Sequence, residues 1–237
     1  MRLKLENSKL LFDIVNILSE IVIEINFKVN KEGMNLTAID PANVLFISLN
    51  LSKNNFLEME VDNEILGINL DIFKSILGRA KGEPIELIKE ENKLIMKILN
   101  KSKEFELSLF NVESEEKKMP NLDFTGKIEI NSSDLSEYIE DCSIVADSCS
   151  FISNGELFII NAHGDLNSFN SELTDEIKIE GIGNSKFSLE YLQKIIKSTK
   201  LTDKVILNLG KDYPLKMDFI NDNLNLSFIL APRVETE

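Results

Sequence analysis

The sequence predicts an α+β protein built from two similar halves. Three observations predict it. Each half opens with an amphipathic helical run followed by two strand-like runs around a glycine turn, and the turn glycines Gly33 and Gly155 stand 122 positions apart. Each half then carries a second helical run, and these begin at Leu70 and Leu189, 119 positions apart. Between the halves lies Val112-Glu113-Ser114-Glu115-Glu116-Lys117-Lys118-Met119-Pro120, charged and weakly patterned as linkers are. A nearly constant offset over two helices and their hairpins is what two copies of one plan produce, and helices interspersed among hairpins give an α+β architecture. The expected division is an N-terminal domain over 1–111, a connector over 112–121 and a C-terminal domain over 122–237.

Taken in order, Met1–Asn7 alternates charged and apolar residues and reads as a first strand. From Ser8 to Ile21, the spacing of Leu10, Leu11, Ile14, Ile17, Leu18 and Ile21 predicts a helix. Strands are expected over Ile21–Val29 and Met34–Ile39, hinged at Glu32-Gly33. Ile72, Phe73, Ile76 and Leu77 put one apolar face on a helix from Leu70 to Ala80. A hairpin of Ile85–Ile88 with Lys93–Leu99 follows, and Glu104–Phe110 closes the half. The second half repeats the plan. Its helix runs from Asp134 to Val145, its strands over Ser150–Ser153 and Leu157–Ala162, and its second helix from Leu189 to Thr199. The hairpin is Val205–Leu209 with Leu215–Ile220, and the last strand is Asn225–Leu230.

Composition excludes several classes. A chain of 237 residues with 43% hydrophobic content can bury a proper core. It holds no apolar run of about eighteen residues, so no membrane-spanning helix is expected, and its start lacks the apolar stretch of a signal peptide. Cys142 and Cys149 are seven apart with no C-x-x-C pattern. That argues against a disulfide scaffold or zinc site and for small buried hydrophobes in a reducing, cytoplasmic interior. The only histidine, His163, stands beside Gly164 at a strand end and reads as a turn residue. No nucleophile elbow, phosphate loop or zinc-protease motif is present. No catalytic residue, cofactor or metal is therefore expected. The competing enzyme reading is a metal-dependent nucleic-acid hydrolase using Asp40, Asp147 and Asp165. The formal charge of −14 opposes phosphate binding unless the basic residues are gathered on one surface.

Two separated stretches carry a family resemblance. The chain ends its last strand with Leu230-Ala231-Pro232-Arg233-Val234-Glu235, and far upstream stands Gly33-Met34-Asn35-Leu36-Thr37-Ala38-Ile39-Asp40-Pro41-Ala42-Asn43-Val44-Leu45-Phe46. Together they resemble the sliding clamp of DNA replication, the proliferating cell nuclear antigen family of archaeal type. The resemblance covers essentially the whole chain. It implies a DNA clamp fold with two similar domains and three chains closed head to tail into a ring around duplex DNA. The ring would confer processivity without doing chemistry, near the nucleoid in the cytoplasm. An ATP-driven clamp loader would place it on DNA. DNA polymerase, flap endonuclease and ligase would dock through short apolar peptides.

The resemblance assigns residues as well. The partner-peptide groove would be formed by Ile39, Asn43, Val44 and Phe46, by Met119 and Pro120 of the connector, and by Pro214, Ile229, Ala231, Pro232 and Val234. Lys117 and Asn43 depart from the family's usual residues there, and Glu190 stands where relatives commonly carry Arg. The DNA-facing residues would be Lys74, Arg79 and Lys81 after the second helix begins, and Lys194, Lys197 and Lys200 in the fourth. The first helix presents Asp13, Asn16 and Glu20, and the third Glu137, Glu140 and Asp141 with no basic residue. The subunit interface would pair Glu104–Phe110, including Phe105, Leu107 and Leu109, with Leu166–Leu173, including Phe169. Beside that seam Lys74, Arg79 and Lys103 would face Glu137, Glu140 and Asp141 of the next subunit. The alternative is one subunit of a hetero-trimer, whose other chains supply positive charge.

Overall fold

A computed structural model describes residues 1–111 and 119–233. The chain forms two compact units: Met1–Asp40 with the described part of Ser48–Lys118 and Asp222–Asn225, and Pro41–Ile47 with Met119–Asn221 and the described part of Leu226–Glu237. The strand ladders within each unit are antiparallel.

In the first unit, β1 (Arg2–Leu5) leads into α1 (Lys9–Leu18), then β2 (Glu24–Asn30), β3 (Gly33–Ile39), the part of β4 (Leu45–Ser52) from Ser48 on, β5 (Glu58–Glu60) and β6 (Asn63–Asn69); the first three residues of β4 belong to the second unit. After α2 (Leu70–Leu77) come β7 (Ile85–Glu90), β8 (Lys93–Ile98) and β9 (Lys103–Ser108). One sheet runs β5-β1-β7-β8-β9, and β6-β2-β3-β4 are neighbours in another. Strand β2 shows the underlying period: Ile25, Phe27 and Val29 are buried while the residues between them are not. At the β2–β3 turn Gly33 has a φ of 142°, and a side chain there would collide with the carbonyl of Leu51.

Helix α1 is shorter than its apolar spacing predicts. The chain continues past Leu18 in tighter turns, with Glu20 bonding back to Ile17 and Ile21 to Leu18. Asp13, expected on a solvated face, is buried and accepts from Lys9 Nζ one turn earlier at 3.0 Å. Helix α2 starts where Asn69 Oδ1 accepts the N–H of Ile72 at 3.1 Å. It stops at Leu77 rather than Ala80, because Arg79 and Ala80 bond three residues back instead of four.

The second unit comprises β10 (Gly126–Asn131), α3 (Ser132–Val145), β11 (Ser148–Asn154), β12 (Phe158–His163), β13 (Ser168–Leu173), β14 (Lys178–Ser188), α4 (Leu189–Ile195), β15 (Lys204–Leu209), β16 (Leu215–Asn221) and β17 (Leu224–Leu230). Its strand order is β13-β12-β11-β14-β10-β15-β16-β17. Helix α3 packs on β10 to β13, and α4 on β11 and β14. The core holds Phe151 edge-on to Phe158 and Phe187, both at 5.7 Å, and Phe219 edge-on to Phe228 at 6.0 Å. Cys142 and Cys149 are free and buried in this unit; a hydrogen bond with the Cys142 thiol, and then burial, push the Cys149 thiol well up. The expected fourth helix breaks in two, α4 giving way to a 3-10 stretch over Ile196–Leu201. His163 is the exposed last residue of β12 rather than part of the turn.

Strands β4, β5, β6, β10 and β14 lie outside the elements expected from sequence. Strand β4 is buried at nearly every position of Leu45–Leu49, so it lacks the alternation of a half-buried strand. Strand β14 carries Gly181 and Gly183 at its centre, which lowers its strand propensity.

Candidate functional site

The expected groove residues in the second unit are organised by the loop before β4 and the tail after β17. Asn43 has a φ of 58°, a left-handed conformation that asparagine tolerates, and it turns the exposed Pro41-Ala42 segment into the strand. Past β17, the N–H of Ala231 donates to the carbonyl of Val44 at 2.9 Å, carrying strand-like bonding beyond the last strand. Pro232 has no N–H to give. Arg233 then donates its N–H to the carbonyl of Lys186 at 2.7 Å, and its guanidinium meets Asp147 Oδ1 at 2.9 Å.

Val44, Pro214, Ala231 and Pro232 are half-buried, while Met119 and Pro120 are exposed. Phe46 and Ile229 are 7% and 6% exposed, so their side chains back the surface from inside rather than open onto it. Ile39, in the first unit, is half-buried at the end of β3. Val234 and Lys117 lie outside the described residues. Beside Pro214, the ring of Tyr213 stands edge-on to Phe124 at 5.8 Å. Sequence reasoning missed Tyr213. It lines an apolar cavity of about 660 Å³ together with Ile152 and the 62%-exposed Ile182.

The six basic residues expected to face DNA fall on α2, α4 and the segments that follow them. In the first unit Lys74 is half-buried on α2, donating to Ser19 Oγ at 2.9 Å and lying 3.6 Å from Asp71. Arg79 and Lys81 are exposed in the turn after α2, Lys81 with a φ of 55°. In the second unit Lys194 is half-buried on α4, paired with Glu190 at 2.9 Å and 5.1 Å from the centre of the Tyr191 ring. Lys197 and Lys200 are exposed in the 3-10 stretch. Residues three apart eclipse in such a stretch, so Lys197 and Lys200 share a face.

Two edge strands carry the expected interface residues. Strand β9 is the edge of its sheet. Lys103 is exposed and Phe105 half-buried, while Leu107 is 5% exposed and belongs to the unit's own core. Leu109 follows the strand, half-buried. Strand β13 is the edge of the second unit's sheet, with Phe169 and Leu173 half-buried. Leu166, in the turn before it, is 94% exposed. On α3, Glu137 and Glu140 are exposed and Asp141 is half-buried; Glu140 accepts from Ser136 Oγ at 3.2 Å. Ile144, 80% exposed on the same helix, was missed. It falls off the stripe of Leu135, Ile139 and Cys142, so its misplacement was visible as an apolar residue on a polar face.

Among the described residues no group of three or more His, Cys, Asp or Glu side chains is placed to hold a metal ion, and no helix is long and apolar enough to cross a membrane. Asp147, one of the three aspartates of the hydrolase reading, is engaged by Arg233, whose hydrogen bond holds its carboxyl below the ordinary value, with Ser148 adding to the effect. The Glu129 carboxyl is held low by Lys204 and then by Lys178, which tie β10 to its two neighbours.

Comparison with known proteins covers both halves. The model of the proliferating cell nuclear antigen N-terminal domain matches residues 1–124 and that of its C-terminal domain residues 118–234. The chain is 34% identical over 241 residues to a DNA polymerase sliding clamp of Thermococcus gammatolerans, and 33% identical to one of Pyrococcus furiosus, covering 97% of this chain and of each relative. Among solved structures it is similar to the Thermococcus kodakaraensis antigen, with a TM-score of 0.91, 27% identity and coverage of 98% and 99% of the two chains. The A. fulgidus antigen bound to the C-terminal region of FEN-1 also gives a TM-score of 0.91, at 25% identity over 100% of this chain and 99% of that one.

The Arg233–Asp147 pair predicts a measurable titration. A depressed carboxyl contributes stability that is present above the unfolded value and is lost as pH falls through the folded one. Carbon-13 NMR should place the Asp147 midpoint below that of an ordinary aspartate, and Arg233→Gln should move it back up. An ordinary, unshifted midpoint in both proteins would mean that the pair does not form in solution.

Proposed function

The chain belongs to the proliferating cell nuclear antigen family, and on that premise we propose that it is a DNA polymerase sliding clamp subunit. It encircles duplex DNA, confers processivity and docks replication and repair proteins, and it performs no chemistry of its own. The observation that carries this reading is the end-to-end match, with both family models satisfied in order and the relatives covered over 97% of their length. We divide it into domains 1–111 and 122–237 joined by a connector, 112–121. It acts on DNA in the cytoplasm, associated with the nucleoid, after loading by an ATP-driven clamp loader.

Docking uses the apolar groove. Its support is the half-buried Val44, Ala231 and Pro232, brought side by side by the Ala231–Val44 bond at the open end of a strand. The A. fulgidus relative binds the C-terminal region of FEN-1, and a peptide of that region is the natural probe; DNA polymerase and ligase peptides would use the same surface. Replacing Ala231-Pro232 with Ser-Ser should weaken this peptide by about 1–3 kcal/mol in calorimetry. Unchanged affinity would remove the tail from the groove.

DNA is held without base contacts by Lys74, Arg79, Lys81, Lys194, Lys197 and Lys200, an attraction to phosphate that permits sliding. Lys81→Ala and Lys197→Ala should each lower clamp-dependent polymerase processivity and reduce the salt slope by at most about one unit. Equal losses from Lys31→Ala and Lys211→Ala, on exposed turns away from these helices, would reduce the effect to net charge alone.

The ring closes head to tail by pairing β9 with β13 of the next subunit, with Lys74, Arg79 and Lys103 near Glu137, Glu140 and Asp141. Two edge strands and the exposed Leu166 support this. Light scattering should give a trimer that loosens at high salt without dissociating. Leu166→Arg, at a position too exposed to disturb the fold, should shift it toward monomer. The second reading, a hetero-trimer, is favoured by one observation: α3 carries no Lys or Arg. A wild-type chain that is monomeric at micromolar concentration would overturn the homotrimer in favour of that reading.

A further inference from the structure

We infer that Asp147 and Arg233 are positioning residues for the partner groove: they latch the C-terminal tail so that its Ala231-Pro232 wall is ordered before a partner arrives. This rests on the groove reading above and adds the device that holds one of its walls. The tail leaves β17 as an extended segment, and Ala231 is tied to the carbonyl of Val44 at 2.9 Å. Pro232 cannot donate, so the next main-chain anchor is Arg233, whose N–H reaches the carbonyl of Lys186 on β14 at 2.7 Å. Its guanidinium reaches Asp147 Oδ1 at 2.9 Å. Arg233 thus grips two separate elements, one with its backbone and one with its side chain.

The receiving carboxylate is itself well mounted. Asp147 occupies the corner between α3 and β11, and its backbone carbonyl accepts the N–H of Leu189, the first residue of α4, at 3.0 Å. Ser148 Oγ donates to the same Asp147 oxygen at 3.2 Å. The pair is open to water, with side chains 43% and 77% exposed, so it contributes little to the stability of the unit. Its effect falls on the tail, which has no other described side-chain anchor of its own. A peptide that binds along an already extended tail does not have to order it, and that saving appears as affinity.

The test is calorimetry of the FEN-1 C-terminal peptide on the full chain. Asp147→Asn should weaken binding about two- to five-fold at low salt, the scale of one exposed ion pair, with an unmoved thermal midpoint. The exchanged pair, Asp147→Arg with Arg233→Asp, should recover wild-type affinity, which a merely structural loss would not do. In about 1 M salt, where the screening length is near 3 Å, the wild type and Asp147→Asn should converge. Wild-type affinity in Asp147→Asn, or a loss that the exchange does not rescue, overturns the latch. The groove reading survives that result if the Ala231-Pro232 substitution still weakens the peptide; if both are silent, the groove fails and the latch with it.

Discussion

The period-two burial of antiparallel strands under a small number of helices is the constraint on which the rest of this molecule depends. Strand β15 buries Val205, Leu207 and Leu209, β10 buries Ile128 and Ile130, and β2 buries Ile25, Phe27 and Val29. Each such side chain contributes about 1.5–3 kcal/mol when taken fully from water. Exposed ion pairs contribute far less. The apolar alternation therefore decides the architecture, and the many charges of this acidic chain are left to decide what its surfaces attract. The edge strands β9 and β13 and the tail after β17 keep surface that the unit's own packing does not cover.

This division explains what was legible in the sequence. Amphipathic helices announce themselves because their apolar stripe must meet the sheet, and the hairpins β7–β8 and β15–β16 stand out as apolar runs on either side of polar turns. The ends of helices were less legible. The expected boundaries of α2 and α4 extended into turns bonded three residues back, where the apolar spacing persists although the helix does not. Strand β4 hid in a continuous apolar run, and β14 in a glycine-bearing one. The strand β10, Gly126–Asn131, alternates plainly, but it is short and begins at a glycine, a residue of low strand propensity. At the candidate site, the residue types were readable but the division of labour was not. Phe46 and Ile229 have the chemistry of groove anchors, yet the strands turn them inward. Arg233 and Asp147, 86 positions apart, carry no local signal that they meet.

Charge distribution was legible in sign and less so in geometry. Six of the 26 Lys and Arg residues, Lys74, Arg79, Lys81, Lys194, Lys197 and Lys200, stand on α2, α4 and the segments after them. Several of these side chains are already engaged within their own unit: Lys74 with Ser19 and Asp71, Lys194 with Glu190 and Tyr191. A lysine shared with a neighbouring carboxylate offers phosphate a weaker field than an unshared one. On the proposed DNA-facing reading, attraction of that graded kind would hold a polyanion without fixing its position, since no single contact is strong enough to set a register.

The strand edges follow the same logic of weak, selective contact. An exposed edge is a template for unwanted pairing, and charged outward side chains are one means of blunting it. Strand β9 places Glu104 and Glu106 outward, tied across the ladder to Lys97 at 3.4 Å and Lys93 at 2.5 Å, while Leu107 faces its core. Strand β13 exposes Ser168, Asn170 and Glu172 and keeps Phe169 and Leu173 half-covered. Neither edge offers the flat apolar row that recruits strands indiscriminately. What each offers is a backbone edge flanked by side chains whose polarity must be matched, so a foreign strand gains hydrogen bonds only where its charges and register also fit. An edge protected in this way resists indiscriminate pairing and still leaves its hydrogen-bonding groups open to one matched neighbour.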